Sequence, residues 1–263
     1  MNSLVKFFSR RRTWSLPYVI FLTIFVVVPL ILIMVYAFQS KDGGFSLENF
    51  QRFINQPEAA NTFIYSIGIA LITTIICIIL GYPAAYILSR INSSTARIVV
   101  MLFILPMWIN VLVRTLATVA LFDFLRLPLG EGALIFGMVY NFLPFMIYPI
   151  YNVLQKMDHS LIEAAEDLGA TPRQVFTRVV FPLSMPGVVS GIMMVFMPTI
   201  STFAIAELLT MNNIKLFGTT IQENINNGMW HYGAALSLIM LIIIGITSLF
   251  TDSSEEGANE GLL

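Results

Sequence analysis

The chain is sparing with charge, yet one stretch, HSLIEAAEDLGATPRQVFTRVVFPLSMPG at residues 159–187, holds three acids (Glu163, Glu166, Asp167) and two arginines (Arg173, Arg178). On a short, sharply punctuated segment such side chains suit docking to another protein better than bond-making. The remaining sequence offers no competing chemistry. His159 and His231 fall in different interhelical loops, which makes them poor metal ligands, and the single cysteine, Cys77, excludes an internal disulfide. There is no G-x-x-x-x-G-K-[ST] phosphate loop, no H-E-x-x-H zinc motif and no G-x-S-x-G elbow. Nor do the apolar runs carry the paired acids or Ser/His set of an intramembrane enzyme. Catalysis within the chain, and a cofactor or metal of its own, are therefore not expected.

The elements that must carry the charged stretch are apolar. Hydrophobic residues make up 57% of the 263, charged residues 11%, and mean hydropathy is +0.82. A soluble domain cannot hide that much apolar surface, so the fold class is an all-α membrane protein, because backbone groups in lipid must bond within their own segment. The net charge of -1 argues against a nucleic-acid partner. Apolar runs predict six transmembrane helices at 18–38, 62–88, 98–122, 133–154, 183–206 and 233–250. The first apolar run, about 20 residues, is too long for a signal peptide and lacks a small-residue cleavage site, so it is expected to be a retained helix. Pro29, Pro106, Pro144, Pro149 and Pro198 lie inside spans and each permits a kink.

Six spans place nine cations on one side (Lys6, Arg10, Arg11, Arg12, Arg90, Arg97, Lys156, Arg173, Arg178) and four on the other (Lys41, Arg52, Arg126, Lys215). The positive-inside rule then puts both termini and the charged insert in the cytoplasm. The domain plan is a cytoplasmic N-terminus at 1–17, a membrane domain at 18–250 with the insert at 159–182, and an acidic, disordered cytoplasmic tail at 251–263.

Locally the insert reads as two short helices. Ser160 with Glu163 forms one capping box and Thr171 with Gln174 a second, with Pro172 at the first helical position. Gly169 ends the first helix in the left-handed conformation. Leu161, Ala164, Ala165 and Leu168 give one apolar stripe; Val175, Phe176, Val179 and Val180 give the other. The acids weigh against a segment resting on anionic lipid, and the fixed shape suits a groove on a cytoplasmic partner.

These residues also carry a resemblance. EAAEDLGATPRQVFTRVVFP has Glu-Ala-Ala, three residues, Gly, nine residues and an apolar-x-apolar-Pro ending, and it resembles the EAA loop of MetI-like permeases from binding-protein-dependent ABC importers. LGYPAAYILSR (80–90), LPMWINVLVRT (105–115), GMVYNFLPFMIYPIYNVLQKMDHSLIEAAEDLGAT (137–171) and MWHYGAALS (229–237) look like the branch of that family devoted to spermidine and putrescine. The resemblance implies that the insert's helices are coupling helices, with Glu163, Ala164, Ala165, Asp167, Gly169, Arg173 and Pro182 at the contact with an ATPase. It also implies the partners: a second permease subunit in a heterodimer, a dimer of ATP-binding subunits that hold the ATP and Mg, an extracytoplasmic polyamine-binding protein, and the lipid of the bacterial cytoplasmic membrane. The same architecture serves other solutes, of the phosphonate, opine or iron type, and a transport-inactive sensor or scaffold would keep the ATPase contact. Two features depart from the resemblance: a short connection from Phe122 to Gly132, and an acidic rather than basic tail.

A path for polyamines would pair aromatic walls with a few acids or carbonyls. Glu207 is the acidic candidate, at the outer end of span five; Trp108 and Tyr140 are aromatic candidates and Asn110 an amide one. Helix packing or lipid contact is the more ordinary reading of those aromatics, and Tyr148 and Tyr151 read as interfacial belt residues. Asn110 and Asn141 read as buried amides that bond between helices. Arg114 would repel a polyamine, so its expected partner is Asp123 or Glu207, or it snorkels outward.

Overall fold

The computed structural model describes residues 16–40, 43–91 and 93–260, with side chains except at 93–97 and 249–260. Its regular elements are helices: α1 Leu16–Ala37, α2 Glu48–Asn55, α3 Pro57–Arg90, α4 Ser93–Ile104, α5 Val111–Phe124, α6 Glu131–Lys156, α7 His159–Asp167, α8 Pro172–Ser201, α9 Ala204–Thr210, α10 Phe217–Asn226 and α11 Trp230–Glu260. Residues 105–108 extend α4 as a 3₁₀ turn. Five helices among the described residues are long and apolar enough to cross a membrane, and a bent pair supplies the material of a sixth.

That bent pair corrects the expectation of one straight third span at 98–122. Ile98–Trp108 and Val111–Phe124 meet at 97°. The cause is local. Pro106 denies the ladder a donor, Ile109 and Asn110 leave the helical region, and the Asn110 side chain accepts from Leu112 N at 2.8 Å to start a new helix. Asn110 is thus an exposed cap rather than a buried amide. Span five also differs: α8 ends at Ser201, Thr202 is extended, and α9 is separate, so Glu207 does not end a span.

Prolines elsewhere are absorbed. In α1, Val28 N reaches back five residues to Thr23 O in a π turn directly before Pro29. The wider turn takes up the register that the missing Pro29 N–H would otherwise break. The same device recurs in α8, where Phe181 N bonds Phe176 O just before Pro182. The helix therefore runs unbroken from Pro172 into the membrane, and the expected second short helix is its first turns. The tail differs as well: α11 continues to Glu260, where disorder was expected, since propagating an existing helix costs far less than nucleating one. The two histidines open helices α7 and α11 rather than lying in loops. The basic N-terminal cluster through Arg12 lies outside the described residues, as do 261–263.

The chain divides into two compact units. In the first, residues 1–57 and 221–242, Ala37, Ala235 and Leu238 form a small core against Phe38 and Phe50. Asn49 ties α2 to the end of α1 by donating to the Ala37 and Gln39 carbonyls at 3.2 Å each. Arg52 lies 4.4 Å over the Tyr232 ring.

The second unit, residues 58–220 and 243–263, holds the main core, which includes Ile69, Leu134, Met146, Ile147 and Ile150. Its tightest crossing joins α6 and α8 through glycine. A Cβ on Gly187 would lie 2.9 Å from Pro149 O, and one on Gly191 2.7 Å from the Met146 sulfur. In membrane helices, small residues four apart let backbones approach to this degree. Gly81 of α3 meets the same methionine: a Cβ there would lie 2.9 Å from Met146 Cγ.

Candidate functional site

The polar insert hangs between the two helices that the glycines clamp. Met157 and Asp158 are extended, and Asp158 caps α7 by accepting from Ser160 N at 2.9 Å. This corrects the Ser160–Glu163 box: an Asp two residues upstream caps the helix instead, and the helix begins two residues earlier. The bonds from Ser160 hold the exposed Asp158 carboxyl below its ordinary range.

The far end of α7 closes as expected. Gly169 sits at φ +81°, Gly169 N bonds Glu166 O, and Ala170 N bonds Ala165 O, which together form a Schellman motif. Thr171 and Gln174 then form the second capping box, with Thr171 N donating to Gln174 Oε1 at 2.8 Å and Pro172 in the first turn. Two closed helix ends around one glycine fix the shape of the insert.

Its faces were only partly legible. The inward stripe of α7 is Ile162 with Ala165, whereas Leu161, Ala164 and Leu168 point outward, Leu168 at 89% exposure. Residues 161, 164 and 168 share one helix face, so they form an exposed apolar ridge, with Glu163 and Asp167 exposed on another face of the same helix. Val175 and Val180 are buried and Phe176 and Val179 partly so, as the second stripe required. Beside the ridge a cavity of about 350 Å³ is lined by Ala165, Leu168, Gly169, Gln174, Arg178 and Val179.

The structure thus gathers Glu163, Ala164, Ala165, Asp167, Gly169 and Arg173 on one hairpin, with Pro182 one π turn further along. Among them Ala165 is partly buried and the others are exposed. Nothing in the set resembles a nucleophile and base in contact. What it can do is seat in a groove and bear load.

The residues proposed for a path stay scattered. Trp108, 87% exposed, ends the first limb of the broken span, and Asn110 caps the second. Tyr140 is 43% exposed midway along α6, and Glu207 is half-buried on α9. Tyr151 is buried rather than interfacial. Arg114, 7% exposed, meets neither Asp123 nor Glu207; its Nη1 donates to the Asn141 carbonyl at 3.4 Å and Nε has no partner in the structure. A carbonyl needs no second charge buried beside it, which suits an arginine held inside a helix pair. Asn141 turns its amide to Gly137 O of its own helix, not to a neighbour.

Residues 77–256, from mid-α3 through the insert to the last helix, match the family model described as "Binding-protein-dependent transport system inner membrane component". The chain belongs to that family. Relatives include the spermidine/putrescine transport system permease protein PotB of Salmonella typhimurium, 33% identical over 87% of this chain and 88% of that protein. The PotB of Escherichia coli K12 is 32% identical over 87% and 91%, and a PotB homolog of Mycoplasma genitalium 29% over 83% and 82%. Among solved structures, a bacterial ABC transporter that imports the acidic polysaccharide alginate matches with TM-score 0.69 at 17% identity, over 94% of this chain and 96% of that one. The MetNI methionine ABC transporter matches with TM-score 0.61 at 16% identity, over 76% and 95%. This family member is a multi-pass inner membrane transport component with the MetI-like fold.

Proposed function

We propose that the chain is one of two permease subunits of an ATP-driven importer of polyamines of the spermidine/putrescine class. Its helices frame half of a central path and a second permease subunit frames the other half. An extracytoplasmic polyamine-binding protein delivers the cation, and a dimer of ATP-binding subunits, carrying ATP and Mg, supplies the energy. Both termini and the insert lie in the cytoplasm. Glu163, Ala164, Ala165, Asp167, Gly169, Arg173 and Pro182 belong to the ATPase contact, while Glu207, Trp108, Tyr140 and Asn110 serve the path.

The observation that carries the coupling role is the outward ridge Leu161–Ala164–Leu168 on a hairpin closed at both caps. An exposed leucine on a rigid helix outside any span is what a partner groove would bury. The cargo rests on likeness to the PotB permeases across most of the chain. When the ATPase closes, the insert is displaced and the helices switch the path between its two sides.

Uptake of radiolabelled spermidine into vesicles holding this chain with its neighbouring permease, ATPase and binding protein tests the proposal. ATP-dependent accumulation that unlabelled putrescine competes away is the expected result. Vesicles that take up no polyamine while another solute stimulates their ATPase would discard the cargo and keep the importer.

A further inference from the structure

The insert's two covalent ties to the membrane helices differ. Toward α6 it is joined by extended Met157 and Asp158; on the other side it is the first turns of α8, in which the π turn 176–180 precedes Pro182, which has no N–H to give. A π turn inside an α-helix often marks a functional position. Its non-covalent tie to a third helix is dense. The Phe176 ring stands edge-on to Tyr82 (5.9 Å, 89°) and to Tyr86 (5.5 Å, 84°), both near the end of α3. Phe181 closes the group 5.7 Å from Tyr82. Ser184 Oγ donates its one proton to Phe181 O at 2.8 Å, so the Tyr82 hydroxyl must donate to Ser184 Oγ, also at 2.8 Å. Tyr82 adjoins Gly81, which seats Met146.

We propose that Phe176 is a positioning residue that delivers displacement of the insert to the second span, α3, through Tyr82 and Tyr86. The inference rests on the docking of the insert to an ATPase proposed above. Load applied at the ridge meets an extended joint on the α6 side, and on the α8 side it meets the aromatic contact with α3. Edge-on ring pairs have a preferred geometry, so the contact resists sliding as well as separation. Helix α3 then moves with the insert, and Met146 passes the movement on to the α6–α8 crossing. The tyrosines sit at i and i+4 at the inner end of α3 because that spacing puts both rings on the face that Phe176 meets.

The test uses the whole complex in proteoliposomes and reads spermidine carried per ATP hydrolysed. Phe176→Leu keeps an apolar side chain and removes the ring edge. The ATPase is expected to remain bound and stimulated, while spermidine per ATP falls about fivefold, within the range that side-chain changes along a coupling route produce. Phe176→Tyr keeps the edge and is expected to restore the ratio. An unchanged ratio in Phe176→Leu overturns the proposal. Should that variant fail to assemble, Tyr82→Phe serves alone: it deletes one hydroxyl, a fall of about twofold is expected, and an unchanged ratio again overturns the proposal. A wild-type complex that does not retain the ATPase overturns the docking itself, which the ratio does not touch.

Discussion

Gly191 faces Met146 so closely that a Cβ on the glycine would lie 2.7 Å from the methionine sulfur. The same side chain fills the notch at Gly81 on α3. Three helices are therefore keyed on one flexible residue, and the size of that residue sets their spacing. Gly191→Val is expected to lower the thermal midpoint of the purified complex, at an overpacking cost of about 1–3 kcal/mol. Met146→Ala in the same chain is expected to return part of the loss. A double variant no better than Gly191→Val would show that backbone rather than the sulfur sets the limit.

The exposed ridge makes a prediction that separates docking from folding. Leu168, 89% exposed, contributes almost nothing to the core of this chain. Leu168→Glu is expected to leave membrane insertion and thermal stability unchanged while the ATPase is lost on purification. Glu163→Ala is expected to lower both uptake and substrate-stimulated ATP hydrolysis about fivefold or more, the scale of a lost coupling term, with insertion intact. Normal uptake in both would remove the coupling role from α7.

Gly169 holds φ +81° with open space around its Cα, so a substitution there is opposed by backbone strain alone. Gly169→Val is expected to cost about 1–2 kcal/mol and to raise amide exchange across 159–171, with no change in the transmembrane segments. Gly169→Asn, which tolerates the left-handed region better, is expected to fall between.

Asp158 gives the insert a response to acid. Its carboxyl is held below the ordinary carboxylate value by the bonds from Ser160, so the folded cap favours the charged form. The stabilisation is present above the unfolded value, about 4, and is lost as pH falls through the lower folded value. Amide protection of α7 is expected to weaken below about pH 4. Asp158→Ser, which caps without a charge, is expected to remove that pH dependence.

Arg114 is held by one long bond to the Asn141 carbonyl inside the α5–α6 pair. Arg114→Gln is expected to cost about 1.5 kcal/mol, the lower range for a bond to a charged group. It should appear as reduced recovery of the assembled complex with the substrate profile unaltered. A variant that assembles normally and carries a different cation would put Arg114 in the path instead.

Much of this was legible because the signals are local. Gly169 and the Thr171–Gln174 box could be found from residue type and spacing, since each is satisfied within a few residues of chain. Five of six spans were found for the same reason, because apolar length suffices. What escaped depends on what the helix packs against. The α7 stripe could be drawn through Leu161, Ala164 and Leu168 or through Ile162 and Ala165; periodicity alone does not say which faces the core, and in the fold it is Ile162 and Ala165. The break after Trp108 was foreshadowed by Pro106, but a proline in a span is as often absorbed, as at Pro144 and Pro149. The route from Tyr82 to Phe176 joins residues 94 apart in sequence and left no mark that spacing could show.

The right-angle bend at Ile109–Asn110 turns topology into a question of parity. If the two limbs together make one crossing, the chain crosses an even number of times and ends on the side where it began. If they dip in and return, the number is odd, the tail changes sides, and the charged insert moves with it. Arg126 and Lys215 would then join the N-terminal cluster, while Lys156, Arg173 and Arg178 would oppose it, leaving eight cations against five rather than nine against four. The charge imbalance is larger for the even count, and that count puts the whole insert on the same side as the N-terminal cluster. Two residues at a bend thus decide the address of a surface some fifty positions further along the chain.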